Sequence, residues 1–271
     1  MESPQKRYSK LRWGLSTLGC PELNLPQAVA LADEYGIDFL EIRTIGNELD
    51  CQKTLFLPEN EPAMRELAAK GRCRVLDSSF GLTVTSPEAR DTLLQIARTA
   101  DEFQIPYIRV FGGGKAGEPL DETRIGNAVD NLNWFRNQKF QTRLALETHD
   151  ICSSSAHCQL LQDAVGEPFP IVWDAHHTRQ IARESFQESF DRIGKSVVAV
   201  HFKDSHYAVK DGVQICEYDI LGEGLVPLDE LFALLEDKGF DGPVTLEHEK
   251  FWRKYLPEIR PMLDSWERLL S

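Results

Sequence analysis

Eight short runs rich in β-branched and aromatic residues recur along the chain, each followed by a longer stretch with helical hydrophobic spacing, and this alternation calls for a parallel sheet wrapped by helices. The runs are Leu11 to Ser16, Ile37 to Arg43, Arg74 to Phe80, Tyr107 to Phe111, Arg143 to Glu147, Ile171 to Asp174, Val197 to Lys203 and Val244 to Glu247. Eight strands joined by right-handed crossovers within 271 residues predict an α/β fold that closes as a (β/α)8 barrel. One domain over residues 1–271 is the expectation. The competing architecture is a doubly wound open sheet, which would want GxGxxG after an early strand. The one glycine cluster, Gly112-Gly113-Gly114, follows the fourth run and lacks that spacing.

Helix punctuation agrees. Asn24 and Pro26 precede AVALADEYG, Ser86 and Pro87 precede EARDTLLQIARTADEF, and Pro227 precedes LDELFALLEDKG. Gly36, Gly71 and Gly239 stand where those patterns must stop. The start, MESPQKRYSKLRW, has no apolar signal core and no stretch reaches membrane-span length, so a cytoplasmic protein with no membrane partner is expected. Six scattered cysteines without CxxC pairing fit reduced thiols. A formal net charge of −13 repels polyanions, so a small-molecule partner is expected and nucleic acid is not. A homo-oligomer stays open.

The chemistry lies where the last four runs end. The fifth ends in Glu147, the sixth in Asp174, the seventh carries His201 and the eighth ends in Glu247. In a closed barrel these ends meet at one mouth, the face on which barrel enzymes build their sites. Three carboxylates and an imidazole suit one divalent ion, Mn²⁺, Mg²⁺, Co²⁺ or Zn²⁺. Without a cation three converging carboxylates would repel one another until one took up a proton.

With these residues in place the chain resembles the xylose isomerase-like TIM barrels, which include sugar isomerases, ketose 3-epimerases, inosose-processing enzymes and zinc-dependent AP endonucleases. The matching elements span the chain: LALE, Asp174-Ala175-His176-His177, His201-Phe202-Lys203-Asp204, Leu221 to Gly224 followed by a helix and GFDGPVTLE, and the terminal Glu247. The resemblance implies Glu147, Asp174, His201 and Glu247 as metal ligands, with His177 and Lys203 reaching the substrate. It departs from the AP endonucleases, whose additional histidine positions read Ser78-Ser79, Phe111-Gly112 and Asp219-Ile220-Leu221 here, which speaks against a three-metal site. Ser153 and Tyr207 stand where ketose 3-epimerases carry a second Glu and an Arg.

Strand alternation points Lys203 into the barrel beside His201 and turns Phe202 outward. An alternative role for Lys203 is a rim pair with Asp204. Glu41, Arg43 and Arg109 share inward parity, and charges there are expected to pair internally. The function these features imply is a metal-dependent isomerase or epimerase of a small sugar-like polyhydroxy carbonyl compound, acting through a metal-held enediolate, with Glu147 and Glu247 as proton carriers. The alternatives are a lyase of the inosose or dehydroshikimate dehydratase kind and a catalytically silent barrel that binds a sugar or a partner.

Overall fold

The computed structural model describes residues 7–271. Eight parallel strands form the barrel: β1 (Arg12–Ser16), β2 (Phe39–Glu41), β3 (Val75–Gly81), β4 (Tyr107–Phe111), β5 (Arg143–Glu147), β6 (Ile171–Asp174), β7 (Val197–Phe202) and, after a hairpin of β8 (Asp204–Lys210) and β9 (Val213–Asp219), β10 (Pro243–Leu246). The hydrogen-bonded order is β2-β1-β10-β7-β6-β5-β4-β3. The ring closes where Ile42 bridges Leu76 in parallel and Asp77 N–H donates to the Ile42 carbonyl at 3.0 Å.

The crossover helices are α1 (Leu25–Glu34), α2 (Glu61–Ala69), α3 (Pro87–Glu102), α4 (Glu122–Asn137), α5 (Ser155–Val165), α6 (Phe186–Ile193), α7 (Leu228–Asp237) and α8 (Ile259–Leu270). The expected starts are in place: Asn24 and Gln27 form a reciprocal capping box on α1, and Ser86 accepts from Ala89 N–H to cap α3. Gly36, Gly71 and Gly239 take positive φ of 64°, 63° and 65°, the left-handed turn that glycine adopts at no steric cost.

Two differences from the sequence reading have local causes. Regular pairing of β2 stops at Glu41, because the Arg43 and Thr44 N–H groups turn away to Thr17 Oγ1 at 2.9 and 3.0 Å. The antiparallel β8–β9 hairpin was not expected. Its turn is Asp211-Gly212, with φ of 52° and 77°, the two left-handed residues that a two-residue hairpin turn demands.

Side chains alternate across the barrel wall and so set the site. Outward, Trp13 of β1 and Phe202 of β7 pack edge-to-face against Phe232 of α7 at 5.1 Å each, with Trp266 of α8 also on Trp13. Inward, Val75, Ala145, Val172 and Ala199 form a small apolar floor separate from the main core. Two residues further along each strand the inward positions become Asp77, Glu147, Asp174 and His201, all buried. A shift of one layer, from apolar floor to ionisable mouth, is what period-two alternation produces at the C-terminal strand ends.

Candidate functional site

The four strand-end residues Glu147, Asp174, His201 and Glu247 converge, each offering one ligand atom, and these atoms all lie within 4.8 Å of one another. Asp174 and His201 are register partners on β6 and β7. His201 Nε2 lies 2.8 Å from Glu41 Oε1. A carboxylate only accepts, so this contact fixes the proton on Nε2 and turns the Nδ1 lone pair inward. Nδ1 then faces Glu147 Oε1 at 3.3 Å and Glu247 Oε1 at 3.6 Å.

Glu147 Oε1 and His201 Nδ1 are buried with no hydrogen-bond partner, and buried Asp174 Oδ2 has only the Lys203 ammonium at 2.8 Å and the His177 ring at 3.0 Å beside it. Buried polar atoms are nearly always satisfied, and a cluster of partnerless acceptors aimed at one point is the arrangement a cation resolves. The residues therefore fit one divalent ion of the hard or borderline kind. In the cation-free protein protons do part of that work: burial opposes charge on His201, yet Glu41, Glu247 and Glu147 raise its pKa well above the usual histidine range. Burial likewise pushes the Asp174 carboxyl up to about 6, against the pull of Lys203.

The other sequence-predicted residues join the same cluster. Lys203 Nζ is 2.8 Å from Asp174 Oδ2 and 3.0 Å from Glu249 Oε1, and it also contacts Glu247 Oε2. Asp204 does not pair with it. That carboxylate instead accepts from the N–H groups of Ser205, Gly222, Gly224 and Val226, tying the segment after β9 to the end of β7. His177 Nδ1 donates to the Thr148 carbonyl at 3.1 Å, which leaves Nε2 as its acceptor. Burial holds His177 well below its usual pKa, so the ring is neutral.

Three functional-site residues escaped the sequence reading. Asp77 takes Arg109 in a fork, Oδ1 to Nε at 3.0 Å and Oδ2 to Nη2 at 2.9 Å, while Arg109 Nη1 reaches Glu147 Oε2 at 2.5 Å. Burial disfavours the Glu147 carboxylate, but Arg109 and His201 outweigh it and hold its pKa well below the normal range. Glu249 shares the inward parity of Glu247, the signal that would have found it. His149 meets His177 edge-on and Phe111 at a tilt, with ring centres 4.6 Å away in each case. Inward parity alone pointed to Asp77 as well, whereas nothing local marks His149.

Above the quartet a cavity of about 530 Å³ opens at the mouth, lined among others by Arg43, Ser79, Arg109, Phe111, Glu247 and Trp252. That volume lies within the range of small-molecule sites. Glu247 is the quartet member in its wall; Glu147, Asp174 and His201 lie beneath, fully buried.

The Asp174 shift has a thermodynamic sign. Its pKa is about 6 in the fold against about 3.9 unfolded, so the fold favours the protonated form, and that stabilisation is lost as pH rises from about 4 through about 6. A cation replaces the missing proton. The thermal shift on adding Mn²⁺ should therefore be larger at pH 7.5 than at pH 5, and equal shifts at both pH values in scanning fluorimetry would overturn the ligand role of Asp174.

Among the described residues no helix is long and apolar enough to cross a membrane. No curated protein sequence matches the chain. Among solved structures it is similar to the probable 3-DHS dehydratase AsbF from Bacillus anthracis, with TM-score 0.75 and 19% identity over 96% of this chain and 98% of that one. It is also similar to an IOLI protein with a bound zinc atom, with TM-score 0.71 and 16% identity over 96% and 97%. A D-tagatose 3-epimerase-like protein gives TM-score 0.65 and 19% identity over 96% of each chain. At these identities the likeness establishes the fold. The model of the xylose isomerase-like TIM barrel family matches residues 29–269, and the chain belongs to that family.

Proposed function

We propose that this protein is a metal-dependent enzyme that moves a carbon-bound proton of a small polyhydroxy carbonyl compound, as an isomerase or epimerase. The observation that carries this reading is the convergence of ligand atoms from Glu147, Asp174, His201 and Glu247, with Glu147 Oε1 and His201 Nδ1 lacking any hydrogen-bond partner, beneath a cavity open to solvent. Glu147, Asp174, His201 and Glu247 would hold the ion. When bound, it supplies Lewis-acid stabilisation of the negative charge that develops as an enediolate forms.

The protein's own groups divide the remaining work. Glu247 lines the cavity, so one of its oxygens is within reach of a substrate C–H while Lys203 fixes the other. Glu147 lies deeper and its charge is held by Arg109, which makes it the weaker base of the pair. His177 Nε2 accepts from a substrate hydroxyl, and Lys203, whose three N–H donors meet Asp174, Glu247 and Glu249, reaches a substrate oxygen by exchanging one of these contacts for it.

The dehydratase alternative uses the same proton abstraction followed by loss of a neighbouring hydroxide. It is favoured by the arginines in the cavity wall, which suit an acid better than a neutral sugar. The protein should hold about one divalent ion per chain by elemental analysis, dropping in His201→Ala and Asp174→Asn. A screen of ketoses, inososes and hydroxy-keto acids with added Mn²⁺, read by NMR, then separates isomerisation from water loss. Three tightly bound ions, or full metal content in both variants, would sink the assignment.

A further inference from the structure

Tyr207, where the chain departs from the ketose 3-epimerases, lies on β8, the hairpin strand that directly follows Lys203. Its hydroxyl is spent within the protein: it donates to Gln180 Oε1 and accepts from Arg183 Nη1. Arg183 also donates through Nη2 to Gln214 Oε1 of β9 at 2.9 Å, and its guanidinium carbon lies 4.3 Å from the centre of the Tyr207 ring. Both strands of the hairpin are thereby tied to the segment after β6.

That segment has an unusual backbone. His177–Ile181 form one π-helical turn, closed by Ala182 N–H donating to the His177 carbonyl at 3.1 Å. Such turns are rare and recur at functional sites. Gln180, within the turn, is buried, whereas Arg183 is exposed and takes a φ of 63°. A residue with a side chain stays in that left-handed region only when its surroundings hold it there, and the contacts of Arg183 with Tyr207 and Gln214 supply the hold.

Asp174 Oδ2 has Lys203 Nζ at 2.8 Å and His177 Nδ1 at 3.0 Å beside it, so one carboxylate oxygen spaces the two groups that the proposed function assigns to the substrate. A cation in the quartet would compete with both for Asp174. The hairpin provides a second link, because it continues the strand that carries Lys203 and grips the turn that begins at His177. We propose that Arg183 and Tyr207 are positioning residues: they clamp the π-helical turn to the hairpin, so that the His177 ring keeps its place and its tautomer beside Lys203 when a cation is bound. This rests on the proposed function only for what His177 does to a substrate.

The test uses the Zn²⁺-loaded protein, which is diamagnetic and open to NMR, with nitrogen-labelled histidine and with the His177 signals assigned from His177→Gln. The wild type should show one set of His177 ring signals, with the proton on Nδ1, and a protected Ala182 amide. Tyr207→Phe should speed exchange of that amide by about threefold to tenfold, the worth of one hydrogen bond, and Arg183→Met, which loses two, by about tenfold to a hundredfold. Both should shift or split the His177 ring signals, while zinc content and exchange of the Val200 amide in β7 stay at wild-type values. Arg183→Lys, which can reach one of the two acceptors, should fall between wild type and Arg183→Met. Arg183→Gly separates grip from strain, since glycine adopts a positive φ freely; slower Ala182 exchange than in the wild type would show that strain alone governs the turn and would overturn the proposal. Wild-type His177 signals in both Tyr207→Phe and Arg183→Met would overturn it too, as would equal acceleration at Ala182 and Val200, the mark of general destabilisation. Because no turnover is read, a failed reaction screen beside a clamp-dependent His177 would count against the proposed reaction and leave the clamp standing.

Discussion

Replacing Glu247 by Gln should lower turnover by roughly 10²–10⁴-fold, the usual worth of one acid–base group. The substitution keeps the size and the ability to accept from Lys203 while removing the basic oxygen in the cavity wall. Two outcomes need to be told apart, because Glu247 also belongs to the ligand cluster. If the loss came only from a loosened cation, excess Mn²⁺ would restore activity. If Glu247 carries the proton, the loss persists at full metal loading, and the substrate carbon also stops exchanging its hydrogen with D₂O. Glu147→Gln is expected to retain more exchange, since Arg109 already holds that carboxylate as a poor base. Full activity of metal-replete Glu247→Gln would refute the proton-carrier role, and complete retention of substrate hydrogen in the wild type would point to a hydride shift instead.

The barrel and its quartet were legible in the sequence for one physical reason: both are written in strand periodicity. Strands β4, β5 and β6 match their sequence runs at both ends, and Glu147, Asp174 and His201 occupy inward positions that the alternation assigns. The same rule carried Phe202 into the aromatic cluster outside the barrel. What the sequence hid depends on side-chain partners across the ring. Whether Lys203 would meet Asp204 or the quartet is decided by the loop after β9, whose N–H groups capture Asp204 and leave the lysine to Asp174, Glu247 and Glu249. The pairing of Glu41 with His201 joins residues 160 positions apart, on strands that are not neighbours in the sheet. No local pattern encodes such a pair. The β8–β9 hairpin is different: the Asp211-Gly212 signal was present in the chain, and an eight-strand count simply left no place for it.

Arg109→Met should be the most destabilising of the single substitutions considered, by roughly 3–5 kcal/mol, because it strands two buried carboxylates at once. Asp77 would lose both of its hydrogen-bonded contacts and Glu147 its Oε2 partner, with almost no solvent to replace them. The guanidinium also lies 4.2 Å from the centre of the Phe111 ring, a smaller loss. For a chain of this size the midpoint should fall on the order of 10 °C. The magnitude reflects uncompensated charge and not a large intrinsic worth of the ion pair, and this separates two reasons for its presence. If the pair served stability alone, Asp77→Asn with Arg109→Met would recover the Asp77 share of the loss, leave only the Glu147 share, and leave the site indifferent. If Arg109 also keeps Glu147 anionic and oriented, the double variant should regain part of the stability but no catalysis, and Arg109→Lys, which keeps the charge without the fork, should fall between. Thermal unfolding and Mn²⁺ titration of the three variants measure both effects. A midpoint for Arg109→Met within a degree of wild type would show that the buried charges relax elsewhere and would remove Arg109 from the account of the site.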